Sequence, residues 1–357
     1  MLVATHRVRL AIEGLPPAYF AMVMATGIVS IACHFLDFHR MAAMLFRLNI
    51  VIYSILWMLT IIRFFLCAPC CLADLKDHSR GAGYLTVVAG TAILGNQFVI
   101  LARDLDAALF FLILGSVLWI LLIYTVLTAF AIRPDKPSLE AGINGTWLIP
   151  VVSTQSISVL SGLIVLQFDV HREVMLFLSL CMFLLGCMLY ILVITLIFYR
   201  LMFFELTPEK LTHPYWINMG AVAITTLAGA TLMLNSSEYE LLKNLLPFTT
   251  GFTLLFWVTG SWWIPLLLLL GAWRFIVRRS RFSYDPQYWS MVFPLGMYTV
   301  ATMRLSAATG LDFLTTISHY FIYAALTAWG LTFFGLLKSL WSSFLTFSRR
   351  TVSPDDL

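Results

Sequence analysis

The segment Gln287 to Arg304 carries the side chains best suited to handle an anion. Phe293 stands just before Pro294 near the middle of an apolar run, and Arg304 follows eleven residues later, about three helical turns. At 1.5 Å per residue their axial separation is about 16 Å, and they share a helical face if the proline kink is neglected. Such a pair could form an aromatic plug at mid-membrane, with a fixed positive charge towards the outer mouth attracting anions. The plain alternative is a packing phenylalanine, one of 28, and an arginine that snorkels.

Neutral polar groups recur in other apolar runs. Thr26, Gly27 and Ser30 lie in the first, Gly90 in the third with Thr91, Asn96 and Gln97, and Gly296 follows Pro294 in the ninth. Helical spacing puts Pro150, Thr154, Ser158 and Ser161 on one stripe, and Asn218, Val222, Thr225 and Gly229 on another. Hydroxyls and freed backbone N–H groups can replace part of an anion's hydration shell, and Pro150 and Pro294 are expected to free such groups by opening their helices. Small and hydroxyl residues are also the ordinary material of helix packing in lipid, so a single stripe does not decide between the two readings.

Acidic residues are absent from every long apolar run; all eighteen Asp and Glu fall between them. Cation and proton carriers generally keep carboxylates at bilayer depth, so the pattern argues against both. No H-E-x-x-H, G-x-S-x-G or paired intramembrane aspartate points to an enzyme. His34 and His319 lie near run ends, where an interfacial place is expected. Cys67, Cys70 and Cys71 cluster on the side expected to face the cytoplasm, where disulfides are disfavoured, and are read as having no redox or metal role.

These residues must be positioned by membrane helices. Hydrophobic residues make up 61% of the 357, charged residues 11%, and the mean hydropathy is +0.91. About 20 apolar residues cross a bilayer core. Ten runs qualify, over 17–36, 43–66, 83–102, 107–131, 146–166, 174–199, 214–235, 246–272, 286–308 and 315–341. Lipid offers no hydrogen-bond partners, so the spans are helical and the fold is all-α. The first span is read as an uncleaved helix rather than a signal peptide. The expected organisation is a short N-terminus (1–16), a ten-helix membrane domain (17–341) and a tail (342–357). Sixteen of the 22 Lys and Arg fall on the side of both termini, which the positive-inside rule places in the cytoplasm.

The odd spans begin near residues 17, 83, 147, 214 and 286. Each unit is therefore a helical hairpin, and five hairpins share one orientation, a parallel repeat unlike inverted five-plus-five carriers. Polarity follows the same period, the odd spans being polar and the even ones mostly Leu, Ile and Phe, with span eight (Thr249, Thr250, Thr253, Thr259) the exception. An inner ring of odd helices inside a shell of even ones is expected.

Four stretches, FAMVMATGI at 20–28, GTWLIPVV at 145–152, PYWINMG at 214–220 and YWSMVFPLGMYTVAT at 288–302, resemble the tellurite-resistance and dicarboxylate transporter family, which includes fungal malate permeases and plant slow anion channels. The resemblance implies ten transmembrane helices as five parallel helical hairpins around a quasi-fivefold central pore, assembled as a homotrimer. It also implies that a phenylalanine of the ninth helix closes the pore, a place matched here by Phe293. Arg304 has no counterpart that the resemblance supplies. The plant channels' long cytoplasmic tails are lacking, which argues against their kind of kinase control.

The leading expectation is channel-like passage of small inorganic or organic anions through a plasma or bacterial inner membrane, gated by Phe293. The alternatives are a carrier for C4 dicarboxylates such as malate, or a tellurite-resistance transporter, with a membrane-embedded enzyme the weakest. No cofactor, metal or nucleic-acid partner is expected.

Overall fold

The computed structural model describes residues 9–165, 171–280 and 284–350, with side chains described as far as 342. The outer parts of both expected terminal segments, 1–8 and 351–357, and residue 166 of the fifth expected span lie outside these. Among the described residues every regular element is helical. The long ones are α1 (Pro17–Phe35), α2 (His39–Leu66), α3 (Gly81–Ala102), α4 (Leu105–Ile132), α5 (Gly145–Ile164), α6 (Arg172–Phe203), α7 (His213–Leu234) and α8 (Leu246–Val277). They are followed by α9 (Trp289–Thr309) and α10 (Phe313–Arg350).

Nine of these, all but α9, are long and apolar enough to cross a membrane. The exception differs in polarity. Its 21 residues include Ser290, Thr299, Thr302, Arg304 and Ser306, and the four hydroxyl residues are buried against protein. A helix shielded from lipid by its neighbours need not be apolar all round. The last helix continues past 341 to Arg350, so part of the expected tail is helical.

Burial separates two sets. In α1, α3, α5 and α7, 72–94% of the most apolar window is buried, against 22–33% in α2, α4, α6, α8 and α10. The second set exposes Leu, Ile and Phe, which suits hydrocarbon as solvent. Each odd helix packs on the even helix that follows it. Contacts among the odd helices run α1 to α3, α3 to α5, α5 to α7, α7 to α9 and α9 back to α1.

A second series of contacts lies at one end. The odd helices open on single turns of 3₁₀ helix at Pro17–Phe20, Gly81–Leu85, Gly145–Leu148 and His213–Trp216, and the turn Pro286–Tyr288 leads into α9. Each turn touches the next, and the last touches the first. An aromatic recurs in each, at Tyr19, Tyr84, Trp147, Tyr215 and Tyr288, followed by Phe20, Leu85, Leu148, Trp216 and Trp289. Gly145 shows how closely these turns meet, since a Cβ there would lie 2.0 Å from the carbonyl oxygen of Pro214.

The first four even helices end on arginines that tie down the segments before these turns. Arg63 Nε donates to Glu13 O (3.0 Å), Arg133 Nη1 to Lys76 O (2.9 Å), Arg200 Nε to Glu140 O (2.9 Å) and Arg274 Nη1 to Leu211 O (2.7 Å). Each is a charge-assisted bond from a helix end to a backbone carbonyl.

Two expectations need correction. Pro150 sits in the first turn of the α-helical part of α5, where no N–H is required, so it does not open the helix. Pro294 and Pro265 do lie inside helices. Cys67 and Cys70, expected to remain reduced, are joined as a disulfide across the first turn of the short helix Ala68–Lys76, with Cα atoms 5.3 Å apart. That separation falls within disulfide reach, and Cys71 stays free.

Candidate functional site

All five opening turns contribute to one cavity of about 120 Å³. Pro17 and Tyr19 come from α1, Arg80 and Gly83 from the approach to α3, Thr146 from α5, Pro214 from α7, and Gln287 and Ser290 from the start of α9. Every odd helix therefore directs its N-terminal end, with unpaired N–H groups and the positive end of the helix dipole, towards this point. The fixed charges nearby are largely balanced. Asp74 accepts from Arg63 at 2.5 Å and Arg80 at 2.8 Å, while Asp285 Oδ1 caps the N–H of Gln287 at 2.8 Å. Lys210 meets Glu140 at 2.7 Å, and its hydrogen bond holds that carboxyl below the usual carboxylate range. Asp285 itself lines the cavity without a cation partner among the described residues, opposite the excess positive charge of two arginines on one Asp74, so the helix dipoles act beside fixed charges of both signs.

The direction of Phe293 follows from the neighbours of α9. Tyr298 shares a 2.7 Å hydrogen bond with Ser261, and Thr302 accepts from Trp257 Nε1 at 3.0 Å, so that face meets α8. Pro294 lies against Gly220 of α7, and Gly296 against Ile28 and Val29 of α1. At about 100° per residue, Phe293 is half a turn from Thr302 and points between α7 and α1, away from α8. Arg304 lies about 20° from Phe293 on the same face. Phe293 is 1% exposed. Arg304 is half-buried, its guanidinium carbon is 5.9 Å from the centre of the Phe35 ring, and no carboxylate among the described residues pairs with it.

The residues expected from the sequence to line a pore are buried, whereas His34 is half-buried and His319 exposed, and most of the buried ones serve contacts between helices. Thr26 accepts from Trp329 Nε1 of α10 (3.1 Å) and Thr154 from Trp119 Nε1 of α4 (2.9 Å). Ser158 donates to Ser179 O of α6 (2.7 Å). Ser161 and Thr225 donate to the carbonyls of Ile157 and Ala221, one turn back in their own helices. Gly27 makes room for Ile93 and Asn49, Gly90 for Val23, and Gly229 for Thr253.

Asn218 is different. It is fully buried, and neither Oδ1 nor Nδ2 has a partner. The contact between Gly220 and Pro294 sets Asn218 within about one helical turn of the depth of Phe293. Its stripe companions Val222 and Gly229 meet Gly260 and Thr253 of α8.

Sequence reasoning did not single out the opening turns. Their signal was available in the tyrosine or tryptophan, followed by a large apolar residue, that recurs at each of them, but hydropathy averaged along a run does not register such a recurrence. It also passed over the partners of the inner hydroxyls. Trp119, Trp257 and Trp329 lie in the even helices, and the hydroxyl of Tyr53 stands 2.9 Å from Thr91.

A family model described as SLAC1, voltage-dependent anion channel, matches residues 14–337. An uncharacterized membrane protein of Mycobacterium tuberculosis is 38% identical over 152 residues, covering 43% of this chain and 77% of that protein. An uncharacterized transporter of Methanocaldococcus jannaschii is 23% identical over 94% of this chain and 97% of its own length. The sulfite efflux pump SSU1 of Trichophyton rubrum is 22% identical over 91% of this chain and 90% of its own length.

Proposed function

Because this chain belongs to the SLAC1 family of voltage-dependent anion channels, we propose that small anions pass along the axis of its odd helices and that Phe293 is the plug. One observation carries the reading: the opening turns of all five odd helices line one cavity. The two closed series of contacts support five hairpins about a quasi-fivefold pore. An anion arriving at the cavity meets the positive ends of five helix dipoles. It then passes an apolar, uncharged lining in which Phe293, on the face of α9 between α7 and α1, obstructs the path. Rotation of the ring, or a shift of α9 at Pro294, opens it.

The conduit is narrower in composition than the hydroxyl stripes suggest, because Thr26, Thr154 and Ser158 are engaged with the outer helices. Arg304 is proposed to attract anions at the far mouth. The basic end bearing Arg63, Arg133, Arg200 and Arg274 is assigned to the cytoplasm, with both termini there. A homotrimer is the proposed assembly, following the family resemblance.

Substrate choice follows the same logic. A path without carboxylates along its membrane-spanning part, beyond Asp285 at the entry cavity, and with one intramembrane cation at its far mouth suits small anions of low charge better than C4 dianions, which call for several fixed cationic partners. The relative named as a sulfite efflux pump favours sulfite as the second reading, with carrier kinetics in place of conduction.

The deciding experiment uses purified protein in planar bilayers and in proteoliposomes. Anion currents whose reversal potential follows the chloride, nitrate or sulfite gradient support the channel. Saturable sulfite or malate exchange without current would replace it with the carrier.

A further inference from the structure

The arginines at the ends of the even helices do not keep the same company. Arg63 gives Nη2 to Asp74 at 2.5 Å, a carboxylate brought by the short helix Ala68–Lys76, and the cavity beside it is about 90 Å³. Its counterpart Arg274 in α8 reaches Leu211 O at 2.7 Å, but its Nε is buried without a partner. Among the described residues no carboxylate pairs with it. Arg274 and His213 line a separate, larger cavity, where His213 is 8% exposed and its Nε2 likewise unpartnered. Its ring lies 3.9 Å from that of Tyr288. Asp285, in the adjoining turn, is engaged as the cap of Gln287.

These groups line a cavity of about 440 Å³ between α7, α8 and α9. The remaining walls include Leu267, Leu270, Gly271 and Met291, and the lip is formed by Leu268 and Ile276, which are 56% and 73% exposed. One end of the space is therefore cationic and hydrogen-bonding, at the basic end of the bundle. The other is apolar and opens on the lipid-facing side of α8. Arg278, stacked 5.4 Å from Trp273, adds a second cation just beyond it.

We propose that this cavity holds one anionic phospholipid. The phosphate sits on Arg274 and His213, and an acyl chain lies along Leu267, Leu270 and Gly271. At Arg274 the phosphate takes the role that Asp74 plays at Arg63. The physical need is clear: a guanidinium N–H and an imidazole nitrogen left buried without partners are unfavourable, and phosphate oxygens accept from Arg274 Nε and from His213 in the neutral tautomer that carries its proton on Nε2. Free phosphate could satisfy the polar end but would leave the apolar groove empty. An amphiphile fits both ends, and basic pockets between membrane helices are suited to anionic headgroups.

Native mass spectrometry of the full chain in detergent tests this, titrating phosphatidylglycerol against phosphatidylcholine with the same acyl chains. The expected result is one retained phosphatidylglycerol per chain, preferred by at least about fivefold, as one or two well-placed basic residues near a headgroup would give. Arg274→Gln should abolish the preference. That variant also loses the bond to Leu211, so Gly271→Trp provides a second arm. A Cβ at Gly271 meets nothing within 4 Å, and the larger ring should block the groove and lower retention of the lipid while the helix stays intact. Lys210→Gln, at the same end, should bind as the parent does. Equal retention of the two lipids overturns the proposal, as does unaltered retention in Gly271→Trp. Displacement of the lipid by millimolar inorganic phosphate would make this a phosphate site, and a change of oligomer mass in Gly271→Trp without change in lipid count would make it a subunit contact; either result also overturns it.

Discussion

A Cβ built on Gly220 would stand 2.7 Å from Cγ of Pro294, so α7 and α9 touch at the proline with no side chain between them. A proline ring is stiff, and the added methyl of Gly220→Ala must be accommodated by moving α9. Phe293 adjoins that point. Gly220→Ala is expected to raise basal anion current about threefold, a change of about 0.7 kcal/mol in barrier. In a Phe293→Ala background it should add nothing, because changes acting through one element are not additive. Equal effects in both backgrounds, measured in planar bilayers, would show that the contact does not act through the plug.

Phe293→Ala should itself increase conductance by about tenfold, the equivalent of lowering the barrier by about 1.4 kcal/mol. Leucine at the same place keeps apolar bulk without the flat ring and should give an intermediate current. If the alanine variant folds, inserts and conducts as the parent does, the plug is elsewhere on the path.

Arg304→Gln separates a working charge from a packing one. The guanidinium is half-buried over Phe35 and has no carboxylate partner among the described residues. Attraction of anions from solution weakens as the Debye length falls, about 30 Å at 0.01 M salt and about 3 Å at 1 M. Current in the variant should therefore be reduced about threefold at low salt and converge on the parent's at high salt. A deficit independent of salt would assign Arg304 to packing.

Much of this architecture can be read from composition. Apolar runs coincide with the ten long helices among the described residues, nine of which are apolar enough to cross a membrane, and the polarity of the odd ones marks them as the buried set, including α9, which falls short of that apolarity. Which neighbour a polar stripe meets is not contained in its period. Thr154 and Ser158 share a face of α5, but only the positions of Trp119 and Ser179 show that this face turns outward. The opening turns were hidden for a related reason: Tyr19 and Phe20 sit at the edge of an apolar run, and their recurrence at Tyr84 and Leu85 or Tyr215 and Trp216 matters only once the turns are seen to touch. The disulfide of Cys67 and Cys70 was set aside on compartment alone, an argument that ignores the one helical turn that brings the two together.

The hydroxyls that turn outward carry their own prediction, about stability rather than transport. Trp119 Nε1 donates to Thr154 at 2.9 Å between α4 and α5, and the same kind of clasp joins Trp329 to Thr26 and Trp257 to Thr302. In membrane proteins one such bond contributes about 0.6 kcal/mol and at most about 1.7. Thr154→Val keeps the shape but leaves the buried indole N–H without its acceptor. Trp119→Phe removes the donor and also some packing. A double-mutant cycle isolates the bond from that packing loss. Reversible unfolding in mixed micelles should give a coupling energy of about 0.6–1.7 kcal/mol, with Thr154→Val having little further effect once Trp119 is replaced. Anion selectivity should be unchanged in Thr154→Val, because the hydroxyl faces α4. A zero coupling energy together with altered selectivity would return Thr154 to the lining of the pore.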